Sequence, residues 1–146
     1  MLQSVFFNLF SKYSDDKSLI AELWAEIETQ YTSRKRHYHN LVHLENMIAE
    51  LNAVENKIDE FDVILFSVFY HDIVYNASNG DNEEKSADLA AKRLHQLGLD
   101  DETVSKIHKQ TIATKKHEKT TDDDTNFLLD ADLSVLGKDW ETYCDY

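Results

Sequence analysis

The chain has 146 residues, the length of one ordinary domain, with no proline and only three glycines. So few chain breakers argue against a turn-rich β fold and for helices joined by short polar loops. With 15 Lys and Arg against 28 Asp and Glu, the formal charge is −13, which argues against nucleic-acid polymers and anionic membranes as partners.

The opening MLQSVFFNLF is apolar but has no basic stretch before it and no small-residue cleavage site, so no signal peptide is expected. Val5, Phe6, Leu9 and Phe10 predict a first short helix. Leu19, Ile20, Leu23, Trp24, Ile27 and Tyr31 form an apolar stripe at spacings of three and four and predict a second. Leu41, Leu44, Met47, Ile48 and Leu51 predict a third, which also carries the His39–His43 segment. Asp59 is placed to cap a fourth helix with Phe61, Ile64, Leu65, Val68 and Phe69 on its core face, running into His71-Asp72. Residues 76 to 81 read as a loop. Asp81 or Asn82 caps a helix through Ala87, Leu89, Ala90, Leu94 and Leu97, which Gly98 ends. Asp100 or Asp101 caps another through Val104, Ile107, Thr111 and Ile112. Beyond a polar loop at 120–124, Phe127, Leu128, Ala131, Val135 and Leu136 predict a last helix stopped by Gly137, and a further one is expected to begin near Trp140. No apolar run approaches ~18 residues, so no membrane span is expected. Cys144 is the only cysteine, which excludes an internal disulfide and favours a reducing, cytoplasmic setting.

Three clusters carry chemistry. His39 and His43 are four apart; on one helix face their Cβ atoms would stand about 5–6 Å apart, and two imidazoles could converge on one site. Two surface histidines are the alternative. His71-Asp72 follows the apolar run Val63 to Tyr70, and burying an ionised carboxylate is costly unless it is paired or holds a metal. The alternative is a helix end with His71 near the C-terminal dipole. Asp130 and Asp132 interrupt an otherwise apolar stretch and point roughly 200° apart on a helix, so one of them faces the core.

The order His…His-Asp…Asp along a helical chain resembles the HD-domain metal-dependent phosphohydrolases, and more narrowly a bacterial group of predicted metal-dependent HD phosphohydrolases. The matching segments are R-x-Y-H-N-x-x-H (Arg36 to His43), F-Y-H-D-I-V-Y (Phe69 to Tyr75), N-E-E-K-S-A (Asn82 to Ala87), T-x-x-x-x-x-H (Thr111 to His117) and L-L-D-A-D-L-S-V-L-G (Leu128 to Gly137). The resemblance implies an all-α, compact helical bundle of the HD-domain type over residues 1–146 as a single domain. Members of that group continue with further helical sequence, which leaves a C-terminal truncation open.

The resemblance further implies a divalent metal held by His43, His71, Asp72 and Asp132. Two histidines and two carboxylates are compatible with Mn, Mg, Fe, Ni or Zn, and spacing does not choose between them. Such an ion lowers the pKa of a water and offsets charge on a phosphoryl oxygen. Asp72 is also placed to reach the attacking water or a second ion. The Y-H-N-x-x-H pattern is shared with cyclic-nucleotide phosphodiesterases, whose first histidine is the acid for the leaving oxygen; by that likeness His39 is the general acid. Arg36, in the basic run Arg34-Lys35-Arg36, is the expected phosphate contact.

Glu83 is expected to orient or deprotonate the water and Glu84 to face the substrate, although acidic residues also serve routinely in a first helical turn. His117 is expected as a substrate contact or second-metal ligand, or as a plain loop histidine. Lys115 and Lys116 beside it would attract an anion. The expected activity is hydrolysis of a phosphate ester of a nucleotide or related small molecule. The alternatives are a non-catalytic regulatory module that binds nucleotide or metal, and a helical interaction domain with coincidental histidines. The expected partner is a small phosphorylated substrate, with a homodimer left open.

Overall fold

Apolar residues at spacings of three and four put seven α-helices into the described residues: α1 (Leu2–Ser11), α2 (Lys17–Tyr31), α3 (Leu41–Asn52), α4 (Phe61–Tyr70), α5 (Asn82–Leu97), α6 (Asp101–Ala113) and α7 (Asp123–Cys144). One 3₁₀ turn, Glu55–Lys57, lies between α3 and α4. The computed structural model describes residues 2–33, 40–76 and 80–144, with the side chains of α7 as far as residue 134. Among these residues the architecture is an all-α bundle without strands, and no helix is long and apolar enough to cross a membrane.

α4 is the central element. All of its residues from Val63 to Tyr70 are buried, and it packs against α3, α5, α6 and α7. A helix apolar on every side is one enclosed on every side. Around its second half, at Phe66 and Phe69, the core is aromatic. Phe6 stacks on Phe10 with ring centroids 3.8 Å apart, Phe69 meets Phe6 edge-on at 5.2 Å, and Phe66 meets Phe10 at 5.0 Å. These rings join α1 to α4, and Trp24 ties α2 to the same cluster. α5 lies along α6, and α3 along α7. Arg93 of α5 grips Glu26 of α2 through both oxygens, at 2.9 and 2.8 Å.

Some helix ends differ from expectation and others agree with it. α3 begins at Leu41 behind an Asn40 cap, whose side chain accepts from the His43 amide at 3.1 Å; of the His39–His43 pair His43 lies in the helix and His39 lies outside the described residues. Asp59 does not cap α4. The Asp124 carboxylate, at the start of α7, accepts from the Asp59 and Glu60 amides at 3.0 and 2.9 Å and supplies the cap from 64 residues away. Asp81 occupies the cap position of α5 without a side-chain bond, while Asn82 closes the preceding loop by bonding both backbone polar groups of Asn76. Asp100 caps α6 through the Thr103 amide at 2.8 Å. Gly98 ends α5 at φ +106°, a conformation that side chains disfavour. Gly137 does not end α7, which continues through Trp140 to Cys144. One glycine within a helix costs about 1 kcal/mol against alanine, too little to stop a helix that its neighbours favour.

Candidate metal centre

Three helices deliver one buried group. His43 sits in the first turn of α3, where the Asn40 cap fixes the backbone that carries it. His71 follows the last residue of α4; its amide donates to the Ser67 carbonyl at 2.8 Å, so α4 holds it as rigidly as one of its own residues. Asp132 comes from α7. Their ligand atoms, two ring nitrogens and one carboxylate oxygen, lie within 4.8 Å of one another, and all three residues are buried. His43 Nε2 stands 2.9 Å from Asp132 Oδ1, and His71 Nε2 stands 3.5 Å from that oxygen.

The imidazole of His71 is oriented for coordination. Its Nδ1–H donates to the Val68 carbonyl at 2.7 Å, which points Nε2 into the group. Nε2 is buried and makes no well-directed hydrogen bond, although Asp72 Oδ2 is only 3.2 Å away. Leaving such an atom unsatisfied costs free energy, and a cation at the same place removes that cost. Bonds of about 2.0–2.2 Å to one ion set neighbouring ligand atoms about 3–3.4 Å apart, close to the separations seen. The donor set and its geometry fit a divalent ion: the His43, His71 and Asp132 cluster could hold a metal.

Charge favours the same conclusion. Burial alone would raise the pKa of Asp132, but hydrogen bonds from His117 and His43, with the His71 imidazole 3.5 Å away, outweigh it and hold the carboxyl far below the usual range. Burial pushes His71 down, and the carboxylates of Asp72 and Asp132 push it up more strongly, to well above its ordinary value. Two carboxylates inside a protein thus require positive charge beside them, supplied by a proton or by a metal ion.

The other expected site residues fall in different places. Asp72 lies against His71, and its amide donates to the Tyr31 hydroxyl at 3.1 Å, but it stands outside the three-residue group. Asp130 is exposed and Asp132 buried, so the pair splits as helical spacing requires. His117 reaches the group: its Nε2 is 2.5 Å from Asp132 Oδ2. Glu83 is half-buried in the first turn of α5, and Glu84 beside it pairs with Lys115 at 2.8 Å. Arg36 and His39 lie outside the described residues.

Two contributors were not singled out by the sequence. Tyr31 read as one more core position, yet a fully buried tyrosine must place its hydroxyl, and this one meets the backbone of Asp72. Asn40 carried its own signal, an Asx residue directly before an apolar stripe. No protein-family model, curated protein or solved structure matches this chain.

Proposed function

We propose that this chain is a metal-dependent phosphohydrolase of the HD type that hydrolyses a phosphate ester of a nucleotide or related small molecule. The observation that supports it is the meeting of His43, His71 and Asp132, from three separate helices, in one buried group with Asp72 alongside. In this reading His43 and His71 hold the ion through Nε2 and Asp132 through Oδ1, with Asp72 as fourth ligand and contact for the attacking water. Mn, Mg, Fe, Ni and Zn all suit that donor set. A divalent ion bound there supplies Lewis acidity, which activates water and offsets phosphoryl charge.

The remaining roles belong to the protein. His39 protonates the leaving oxygen and Arg36 binds the phosphate; both lie within a few residues of the α3 cap in sequence. Glu83 orients the water. Lys115, Lys116 and Lys119 line a cavity of about 530 Å³ with Glu84 and Glu118; Lys115 is paired with Glu84, so the excess of positive charge there is small, but it stands out in a chain of formal charge −13 and suits an anionic substrate. The reading places the protein in the cytoplasm, acting on a small molecule rather than on a nucleic-acid polymer or a membrane.

The test is a screen of phosphate monoesters and diesters with each of the five metals. The expected outcome is hydrolysis that requires added metal and falls to background in His71→Ala and in Asp72→Ala. Hydrolysis that survives both substitutions overturns the reading.

A further inference from the structure

His117 is held where its backbone is strained. It follows the turn after α6, its amide donates to the Ala113 carbonyl at 3.3 Å, and its φ is +53°, the one positive value at a non-glycine residue among those described. A side chain disfavours that conformation, and glycine would relieve it. The strain delivers the imidazole to Asp132. Lys115, Lys116 and Glu118 line the outer groove, while the His117 ring turns inward to within 2.5 Å of Oδ2. The ring is one-fifth exposed where Asp132 is almost fully enclosed, so His117 stands at the rim of the group.

The two oxygens of Asp132 are used differently. Oδ1 faces His43 and His71, and Oδ2 faces His117. An ionised carboxylate only accepts hydrogen bonds, so at this distance His117 Nε2–H is the donor. An ion among His43, His71 and Oδ1 would take the place of the contacts those histidines make with Oδ1, but would leave the bond to Oδ2 intact. From this division we infer that His117 is a positioning residue: its Nε2–H locks the Asp132 carboxylate so that Oδ1 is presented to the ion. The inference rests on the metal-centre reading, and it makes His117 neither a ligand nor a substrate contact.

The experiment compares the wild-type chain with His117→Gly and His117→Gln. Glycine removes the donor and suits the +53° backbone, so the variant keeps its fold; glutamine retains an N–H donor on a side chain of similar reach. Mn²⁺ affinity and stoichiometry are read by calorimetry, the geometry at the ion by the visible spectrum of the Co²⁺ form, and the fold by circular dichroism of the metal-free chains. The expected result is a Mn²⁺ dissociation constant raised about 10–100-fold in His117→Gly, the usual cost of losing a hydrogen bond to a ligand, with stoichiometry unchanged and most of the affinity restored in His117→Gln. The Co²⁺ spectrum of His117→Gly is expected to shift. Wild-type affinity in His117→Gly overturns the inference, and so does loss of one ion from the stoichiometry, which would make His117 a direct ligand. Failure of the wild-type chain to bind either ion would overturn the metal centre itself, and the inference with it.

Discussion

The aromatic contacts of α4 and the residues that follow its C-terminus are buried on opposite principles. Around Phe66 and Phe69 the neighbours are Phe6, Phe10 and Trp24, rings that lose nothing by leaving water and gain from every contact. Just beyond Tyr70 the chain enters His71 and Asp72, and the neighbours become His43, Asp132 and His117. Those groups lose hydration on burial and recover it only through each other or through a bound cation. A helix secured by aromatic packing at Phe66 and Phe69 can hold costly groups just beyond its last residue, so stability and chemistry rest on different contacts of neighbouring residues.

The largest effect should come from the aromatic contacts. Phe66→Ala is expected to cost about 3–5 kcal/mol in urea unfolding, as for other fully buried phenylalanines, and the loss should be the same with and without divalent metal. A loss that depends on metal would break the division.

The polar group should respond in the opposite way. Divalent metal at a hundredfold excess over its dissociation constant should stabilise the wild-type chain by about 2.7 kcal/mol, and His71→Ala or Asp132→Asn should abolish the gain. Metal binding should also weaken on acidification. In the metal-free chain Asp72 and Asp132 hold the His71 pKa well above its ordinary value despite burial, so an ion must displace a proton there. Affinity should therefore rise with pH until that proton is lost, and calorimetry in buffers of different ionisation enthalpy should register proton release. Affinity independent of pH would exclude His71 as a ligand.

Smaller effects lie away from both. Asp100→Ala removes the cap of α6 and should lower Tm by much less than Phe66→Ala does. Tyr13→Phe should cost less than about 1 kcal/mol, since its bond to Asp62 is partly exposed. Burial first, and then the hydrogen bond to Asp62, push the Tyr13 pKa up to about 12. A raised pKa means the contribution is complete below the ordinary value near 10 and is lost as pH rises through 12. Ultraviolet titration of tyrosinate in wild type and Tyr13→Phe should show that late-titrating group disappear.

The sequence was most legible where a pattern has one local cause. Apolar spacing located every helix, Gly98 marked the end of α5, and the spacing of two between Asp130 and Asp132 separated the exposed carboxylate from the buried one. Features that join distant segments were not legible. The α4 cap comes from Asp124, the Asp72 backbone rests on Tyr31, and the approach of His117 to Asp132 depends on one backbone angle after α6. Gly137 misled because glycine marks a helix end only when its neighbours also favour leaving the helix. For His43, His71, Asp72 and Asp132 the likeness of motif and the cost of burying carboxylates point the same way. The structure brings three of them together and sets Asp72 against His71.

The most direct test of the metal centre is elemental analysis of the purified chain together with Mn²⁺ titration by calorimetry, on wild type and Asp132→Asn. The account predicts saturable, stoichiometric binding by the wild-type chain, a rise in Tm with added metal, and loss of both in Asp132→Asn while its helical circular dichroism persists. A wild-type chain that carries no divalent ion, takes up none, and melts at the same temperature with and without metal would contradict it.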